Sequence, residues 1–483
     1  MNDPIRLILH GHFYQPPRED PWTGEVPVQP TAAPFHDWNE RITAECYRPN
    51  GWVDLGDGRP PISNYEHLSF NMGPTLLSWL EDHAADVYAR VLEGSRHWDR
   101  AMAQGYGHAI LPLCNDRDLR THIRWGQADF AHRFGRAATG MWLPETAVSD
   151  RVLAAVAEEG LSYTILGPRQ IAAVRPLLGT DWLTHEDEDQ HPEASPLDTS
   201  RPLRWKHPTA EHLGVDLVVY DGALAHALAF SEPSAETIIA AVLDHARPFG
   251  GLVAAATDGE TFGHHHKGAE VELARALTDV ATAHGVIVTT VPEVLAALPP
   301  THEAQVRTSA WSCAHGVDRW WRDCGCSTGG DPGWNQSWRE PLRNALDLLR
   351  DWGSEVVDRR GPALLDDAWA ARDRYIEVLV RARSYAEFAT EHGVGDPGPA
   401  RSLLEAQRNA LLMYTSCGWF FNDLAGIETI QILRYAARAM DHYRDLGEEP
   451  PEEAFLDVLA KARSNDPAEG DGRQIWLRHV VHR

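Results

Sequence analysis

Short apolar runs that alternate with helical patterns constrain the fold of this 483-residue chain more than any other feature. Near-continuous apolar runs are typical of parallel strands that are covered on both faces. Seven runs are predicted to be buried strands, at residues 5–10, 108–113, 139–143, 163–167, 216–220, 252–256 and 286–291. Because helical patterns lie between these runs, the alternation predicts an α/β fold, an irregular seven-stranded (β/α) barrel.

A second region follows the barrel pattern. After Pro299 and Pro300, a stretch rich in Trp, Cys and Gly leads into residues with helical periodicity alone. We therefore expect a barrel domain over 1–300, a connector over 301–338 and an α-helical domain over 339–483. The helical region stops soon after a stretch rich in Gly and Asp, so a truncated chain is one interpretation.

Composition limits the class of partner. The net charge of −26 argues against a nucleic-acid partner, because phosphate binding needs a basic surface. No segment approaches the ~20 apolar residues that a membrane span requires, and the N-terminus lacks the pattern of a secretory signal. We expect a cytoplasmic protein without a membrane partner, whose six cysteines are thiols or metal ligands and not disulfides.

Two carboxylates mark the ends of predicted strands. Glu145 follows the run at 139–143, and Asp258 follows the run at 252–256. In a barrel of this kind, the carboxyl ends of the strands form the face that carries the chemistry. Taken singly, each residue is more often a helix cap or a turn former. Together they suit a retaining glycoside hydrolase, with Glu145 as the nucleophile and Asp258 as the acid/base.

Imidazole, amide and aromatic side chains at other strand ends and loops are candidates for substrate binding. Imidazoles and amides are good partners for sugar hydroxyls and equally good metal ligands, and indole rings stack on sugars. A lone histidine inside a strand is more often a core residue. The predicted substrate-binding residues are His10, His12, Gln15, His108, Trp125, Trp142, Glu260, His264 and Trp419.

The connector carries a cluster of soft ligands with the spacing C-x-H-x8-C-x-C. Structural zinc sites usually show C-x2-C spacing, and the one-residue gaps here are tighter. Two interpretations stay open, namely a structural metal site and reduced thiols that pack a Trp-rich loop. The residues concerned are Cys313, His315, Cys324 and Cys326.

These motifs resemble glycoside hydrolase family 57, and in particular a subgroup whose C-terminal half is a domain of unknown function. Leu9–His12 with Gln15 is similar to the first family region and His108–Leu113 to the second. Trp142–Glu145 is similar to the nucleophile region and Asp258–His264 to the acid/base region. The resemblance implies a seven-stranded barrel, a C-terminal helical domain, retention of configuration and no cofactor.

The same resemblance implies an oligo- or polysaccharide substrate, most simply an α-glucan. Family activities include hydrolysis, transglycosylation and branching, and the motifs do not separate them. The stretch Tyr414–Phe421 is similar to one that family members fold toward the barrel mouth, which implies that Trp419 lies near the substrate.

Two other functions remain open at this point. One is a zinc-dependent carbohydrate hydrolase, similar to a deacetylase or a mannosidase, with His10, His12, Asp258 and His264 as ligands. A chelator would abolish its activity. The other is a catalytically silent glucan-binding protein, which would bind glucans without turnover.

Overall fold

The computed structural model of the protein describes residues 4–96, 99–185, 197–249 and 251–481. The chain forms two compact units, each assembled from three segments of the sequence. Unit 1 comprises Met1–Gln15, Val28–Gln104 and Arg133–Trp311, and unit 2 comprises Pro16–Pro27, Gly105–His132 and Ser312–Arg483. The functional domain boundaries expected at 300 and 338 stay a prediction.

Unit 1 contains the twelve strands found in the described residues. They are β1 (Arg6–Phe13), β2 (Ser69–Met72), β3 (Ala103–Gln104), β4 (Met141–Trp142), β5 (Tyr163–Leu166), β6 (Ile171–Pro176), β7 (Leu183–Thr184), β8 (Leu203–Lys206), β9 (Gly214–Val219), β10 (Leu252–Asp258), β11 (Ile287–Val288) and β12 (His302–Val306).

Seven of these strands close into a parallel barrel, as the sequence predicts. Strands β10, β1, β2, β3, β4, β5 and β9 are neighbours in that order, joined by parallel ladders or by single parallel bridges. The backbone N–H of Asp221, just after β9, donates to the carbonyl of Ala254 in β10 at 2.7 Å and links the two ends of the ring. The carboxyl ends of all seven strands therefore lie at one end of the barrel.

Apolar side chains fill the centre of unit 1. Ile8, Ile165, Val218 and Ala254 belong to one cluster and are each at most 2% exposed. Burying one such large aliphatic side chain contributes roughly 1.5–3 kcal/mol relative to leaving it in water. This packing gives the strand ends a rigid base.

A second sheet extends from the barrel at β9. Strand β8 pairs antiparallel with β9, and β12, β6 and β7 continue the sheet in the order β5-β9-β8-β12-β6-β7. β12 ends at Val306, and the chain then returns to the barrel through the segment 309–311. This return brings a remote tryptophan to the barrel end.

The helices of unit 1 lie between the strands and use capping residues that the sequence shows. Ser149 caps Asp150–Glu158 by accepting the backbone N–H of Val152 at 3.3 Å. The α-helices are Trp38–Ile42, Arg48–Gly51, Pro74–His83, Ala85–Gly94, Asp150–Glu158, Gly222–Phe230, Ala235–Phe249, Ala269–Arg275, Ala281–Ala283 and Val291–Ala297.

Unit 2 is built from helices, which confirms the helical region predicted after the connector. The helices Pro397–Leu412 and Ile427–Asp445 pack against each other. The α-helices that lie in it or begin in it are Asp116–Phe134, Arg339–Arg360, Ala368–Arg374, Ile376–Leu379, Tyr385–Glu391, Pro397–Leu412, Cys417–Phe420, Ile427–Asp445, Glu452–Leu459 and Gly472–Ile475.

The predicted strand at 108–113 is wrong. Tyr106–His108 and Leu111–Leu113 are 3-10 turns in unit 2, and Pro112 lacks the backbone N–H that a central strand would donate. The run is apolar because it is buried, not because it lies in a sheet. Its place in the barrel is taken by β2 and β3, which are too short and too polar to show as apolar runs.

The run at 286–291 was predicted as a barrel strand and forms only β11. β11 has two residues and pairs with the start of β1, at Arg6 and Leu7. In the part of the chain that the structure describes, no helix combines the length and the apolar character needed to cross a lipid bilayer.

Candidate active site

Glu145 follows β4 in a strained turn. Its φ is 58° and that of Thr146 is 48°, so two successive non-glycine residues adopt the left-handed conformation. This conformation costs about 1–2 kcal/mol per residue and persists only where the surroundings fix it. The N–H of Thr146 donates to the carbonyl of Leu143 at 2.7 Å, and Nε2 of Gln170 donates to the carbonyl of Thr146 at 2.7 Å. The turn therefore holds Glu145 rigidly at the end of the barrel.

Trp311 holds the carboxylate of Glu145. Ser309 and Val148 form an antiparallel bridge, and two residues later the backbone N–H of Trp311 donates to the carbonyl of Glu145 at 3.0 Å. The indole Nε1–H then donates to Oε2 of Glu145 at 2.9 Å. A donor of this kind stabilises the charged form of a carboxylate. Sequence reasoning missed Trp311, because 166 positions separate it from Glu145 and only the pairing of 309 with 148 brings them together.

The two histidines of β1 are bound to a buried asparagine in β2. Oδ1 of Asn71 lies 3.0 Å from Nε2 of His10, and Nδ2 of Asn71 lies 2.9 Å from Nδ1 of His12. The other ring nitrogen of His10 lies 3.0 Å from Oγ of Ser69, so both nitrogens of His10 are used within the protein. Burial lowers the pKa of His10 to about 4 and that of His12 to about 3. Both imidazoles are therefore neutral at pH 7.

Trp142 is the platform beneath these imidazoles. Its ring is stacked on His10 with centroids 4.8 Å apart and on His12 with centroids 5.1 Å apart. Trp311 meets the same ring edge-on at 5.1 Å. Because Trp142 is fully buried, it supports its neighbours and presents no face to a sugar, unlike the contact predicted for it.

Asp258 ends β10 beside His12, with which it is in parallel register. Its side chain is exposed to solvent, although many protein atoms lie around its carboxyl group. This burial, together with the charges of Glu260 and Glu145, raises the pKa of the Asp258 carboxyl well above its ordinary value. Asp258 and Glu145 thus interact electrostatically, and their pairing across one sugar ring stays a prediction.

Gly259 lets the turn after Asp258 pack against β1. A Cβ atom at this position would lie 2.3 Å from the ring of Phe13, closer than any real contact. Phe13 is itself fully buried, so the ring cannot move aside without cost. The glycine after the candidate acid is therefore a packing requirement.

Glu260 follows Asp258 by two positions and is buried. The hydroxyl of Tyr47 donates to Oε1 of Glu260 at 2.6 Å, and the backbone N–H of Tyr14 donates to the same atom at 3.2 Å. The side chain of Gln15 bonds to this carboxyl as well. Burial nevertheless dominates and raises the pKa of Glu260 to about 7. Tyr47 lies in a long insertion between β1 and β2, residues 14–68, and no sequence signal paired it with Glu260.

His264 is the last residue of the segment Asp258–His264. Its Nδ1 lies 2.5 Å from Oε2 of Glu45, and its ring meets the edge of Trp38 with centroids 6.1 Å apart. The backbone N–H of His264 donates to the carbonyl of Glu260 at 3.1 Å. Glu45 and Trp38 also lie in the insertion after β1, so this long segment supplies partners to the strand end of β10.

The comparison of sequences agrees with this arrangement. Residues 101–307 match the profile of glycosyl hydrolase family 57, and residues 334–483 match a domain of unknown function, DUF3536. Residues 101–307 therefore form a glycoside hydrolase family 57 domain. The chain is therefore an enzyme of the glycoside hydrolase class, and its C-terminal helices from residue 334 onward lie in the part that matches DUF3536. No curated protein matches the chain.

Solved structures of family-57 enzymes share the fold. An exo-type maltose-forming amylase from Pyrococcus sp. ST04 is 15% identical with a TM-score of 0.71, over 95% of this chain and 83% of its own. A branching enzyme from Pyrococcus horikoshii is 15% identical with a TM-score of 0.59, over 96% and 95%. A 4-alpha-glucanotransferase from Thermococcus litoralis is 14% identical with a TM-score of 0.55, over 92% and 60%.

Three of the predicted substrate-binding residues lie in unit 2. His108 is buried, and its Nδ1 lies 2.7 Å from Oγ of Ser416. Trp125 and Trp419 were expected in loops, but they lie in the helices Asp116–Phe134 and Cys417–Phe420.

Burial explains the two tryptophans. Trp125 is 0% and Trp419 1% exposed, and their indole N–H groups donate to the backbone carbonyls of Arg372 and Arg339. Their rings pack unit 2, so the predicted stacking on a sugar has no support from this structure. These two tryptophans are therefore residues of the hydrophobic core and not of a sugar-binding surface.

Among the described residues, one group of His, Cys, Asp or Glu side chains is arranged closely enough to hold a metal ion. The cluster predicted in the connector, which comprises Cys313, His315, Cys324 and Cys326, has all four donor atoms within 4.8 Å of one another. The alternative ligand set at the strand ends, with His10, His12, Asp258 and His264, forms no such group among the described residues. His10 has no ring nitrogen left for a metal, since Ser69 and Asn71 occupy both.

Proposed function

We propose that this family-57 enzyme is a retaining glycoside hydrolase or glucanotransferase that acts on α-glucans. Glu145 is the nucleophile and Asp258 is the acid/base. The solved structures with the same fold are named as an amylase, a branching enzyme and a glucanotransferase, which all process α-glucans. An oligo- or polysaccharide is the partner that this activity requires.

One observation carries the assignment of roles. Two carboxyl groups at the end of one barrel have environments that favour different protonation states. The indole N–H of Trp311 favours a charged Glu145, whereas burial and neighbouring negative charge raise the pKa of Asp258 and so favour its protonated form. A pair of carboxyl groups separated in this way provides one base or nucleophile and one acid at the same pH.

The mechanism follows from these states. The Asp258 carboxyl gives its proton to the glycosidic oxygen as that bond to C1 breaks, while a carboxylate oxygen of Glu145 bonds to C1. The Asp258 carboxylate then takes the proton of a water or sugar hydroxyl that attacks C1, and the bond to Glu145 breaks. Two displacements at C1 retain the configuration.

The other residues of the site position this pair. Glu260 is buried behind Asp258 and raises its pKa, and Trp142, His10 and His12 hold Trp311 and the floor of the site in place. Gln15 positions Glu260, and His264 remains a candidate for a contact with the sugar. A cytoplasmic location and the lack of nucleic-acid and membrane partners remain predictions from the sequence.

The test is product analysis with maltooligosaccharides and with glycogen. Four proteins are compared: the unchanged enzyme, Glu145→Gln, Asp258→Asn and the control Glu236→Gln, an exposed carboxylate on the helix Ala235–Phe249. Longer or branched products identify a transferase, and shorter products alone identify a hydrolase. The proposal predicts that both site variants lose turnover by about a thousand-fold or more and that the control keeps it.

Three outcomes would overturn the proposal. Full turnover by the Glu145→Gln variant would exclude Glu145 as the nucleophile. Binding of maltooligosaccharides without turnover by the unchanged protein would identify a silent binder. Inversion at C1, seen by NMR of the first product, would exclude a glycosyl-enzyme.

A further inference from the structure

We propose that a structural zinc ion binds in unit 2, held by Cys313, His315, Cys324 and Cys326. Three thiolates and one imidazole form a common ligand set for structural zinc, which prefers four-coordinate tetrahedral geometry. The site lies outside the two carboxylates of the proposed reaction and takes no part in it.

The distances between the donor atoms fit a single ion. Zinc–sulfur bonds of about 2.3 Å in a tetrahedron place two sulfurs about 3.8 Å apart, and a sulfur and an imidazole nitrogen about 3.6 Å apart. Sγ of Cys313 lies 4.0 Å from Sγ of Cys324 and 3.9 Å from Sγ of Cys326. Nδ1 of His315 lies 3.5 Å from Sγ of Cys326. These separations, and the 4.8 Å limit that holds for every pair of donor atoms, match the ligand spacing around a single zinc ion.

The backbone around the cluster donates hydrogen bonds to its sulfur atoms. Each of the three sulfurs accepts at least one backbone N–H, and the donors are the amides of His315, Arg319, Cys326 and Ala314. Three thiolates this close repel one another strongly unless a cation lies between them. Zinc supplies that cation, and the three thiol protons pass to solvent when it binds.

Gly325 allows both Cys324 and Cys326 to approach Cys313, although only one residue separates them. It adopts φ +80°, and a Cβ atom there would meet nothing within 4 Å. The left-handed conformation, which favours glycine, reverses the chain between Cys324 and Cys326 so that both sulfurs face Cys313. Oδ1 of Asp323 accepts the N–H of Gly325 at 3.1 Å and fixes the turn.

The site serves a segment with little structure of its own. Residues 312–338 contain no strand or α-helix, only the 3-10 turn Asp318–Trp320. A few polar contacts tie the segment to unit 2, among them Nη1 of Arg339 to the carbonyl of Cys326 at 3.0 Å. A metal that crosslinks the two ends of a loop contributes folding free energy directly. The ion therefore fixes the connector at the start of the helical unit.

Metal analysis of the full chain, purified without chelators, tests the proposal. The expected result is one zinc per chain in the unchanged protein and in the control Cys114→Ser, a thiol outside the cluster. Cys324→Ser and His315→Ala are expected to retain only background zinc. His315→Cys, which keeps four soft ligands, is expected to restore one zinc per chain. Cobalt added in place of zinc should give the absorption bands of a tetrahedral thiolate site.

A second measurement does not depend on the folding of the variants. Treatment of the unchanged protein with a zinc chelator should speed tryptic cleavage after Arg322, which is exposed in the connector, and added zinc should restore protection. The proposal is overturned if the reduced, unchanged protein contains no metal and does not take up zinc. It is also overturned if the cluster holds iron, or if Cys313 and Cys324 form a disulfide in the purified protein.

Discussion

The indole N–H of Trp311 donates a 2.9 Å hydrogen bond to Oε2 of Glu145, while the backbone N–H of the same residue donates to the Glu145 carbonyl at 3.0 Å. Trp311 is the last residue of unit 1, and it fixes both the backbone and the side chain of the proposed nucleophile. The negative charge held in this way also raises the pKa of Asp258.

Trp311→Phe is expected to reduce kcat/KM by about 10- to 100-fold, because a hydrogen bond to a charged group contributes about 1.5–3 kcal/mol. The measurement is steady-state kinetics on a maltooligosaccharide. Trp205→Phe is the matched control, since its indole also donates to a carboxylate, Oδ1 of Asp150 at 2.8 Å. Equal losses in the two variants would show that the effect of Trp311 is only structural.

Glu260→Gln is expected to move the alkaline limb of the kcat/KM profile to lower pH by about one pH unit. The sign follows from the charge: Glu260 raises the pKa of Asp258, and the first step needs a protonated Asp258. Removal of that charge lowers the pKa, so the proton is lost at a lower pH. Kinetics across the pH range measure the limb, with Glu236→Gln as the control. A limb that stays in place would contradict the electrostatic role of Glu260.

Glu260 should also make stability depend on pH. Its pKa is about 7 in the folded protein and about 4.5 when unfolded, so the folded state holds the proton more tightly. The stabilisation is present at low pH and is lost as the pH rises from about 4.5 through about 7, by roughly 3 kcal/mol in all. Denaturation midpoints at pH 5 and pH 8 should differ less in Glu260→Gln than in the unchanged protein. If the two midpoints differ as much in Glu260→Gln as in the unchanged protein, a group other than Glu260 causes the pH dependence of stability.

Asn71→Leu is expected to weaken both the fold of unit 1 and catalysis. Asn71 is fully buried and bonds to His10, His12 and Gln104, so its loss leaves several buried polar groups without partners. The cost is about 2 kcal/mol or more. Thermal denaturation measures the first effect, and kcat measured well below the transition measures the second. Asn409→Leu in unit 2 should lower stability alone, and the same loss of kcat there would argue against a specific role for Asn71.

The sequence contains much of the barrel, because buried parallel strands are visible as apolar runs. Strands β1, β5, β9 and β10 were predicted within a few residues for this reason. Strand β2 was missed, since Ser69 and Asn71 interrupt its apolar character. These polar residues are there to bond the histidines of β1, so a requirement of the site hides the strand.

The two carboxylates were predictable because each follows an apolar run directly. Their partners were not, because contacts between distant segments depend on pairings that no local pattern shows. Trp311 reaches Glu145 through an antiparallel bridge, and Tyr47 reaches Glu260 from a long insertion. Burial alone explains three other features of the sequence that were interpreted as a barrel strand or as sugar contacts. They are the apolar run at 108–113 and the rings of Trp125 and Trp419.

The most direct test of the central claim is covalent trapping of the nucleophile. The unchanged enzyme is incubated with an activated fluorosugar fluoride that slows the second displacement, and the labelled peptide is identified by mass spectrometry. We predict that the sugar is bound to Glu145 and that Glu145→Gln takes up no label. A stable label on any other carboxylate, including Asp258, would contradict the assignment on which the proposed mechanism depends.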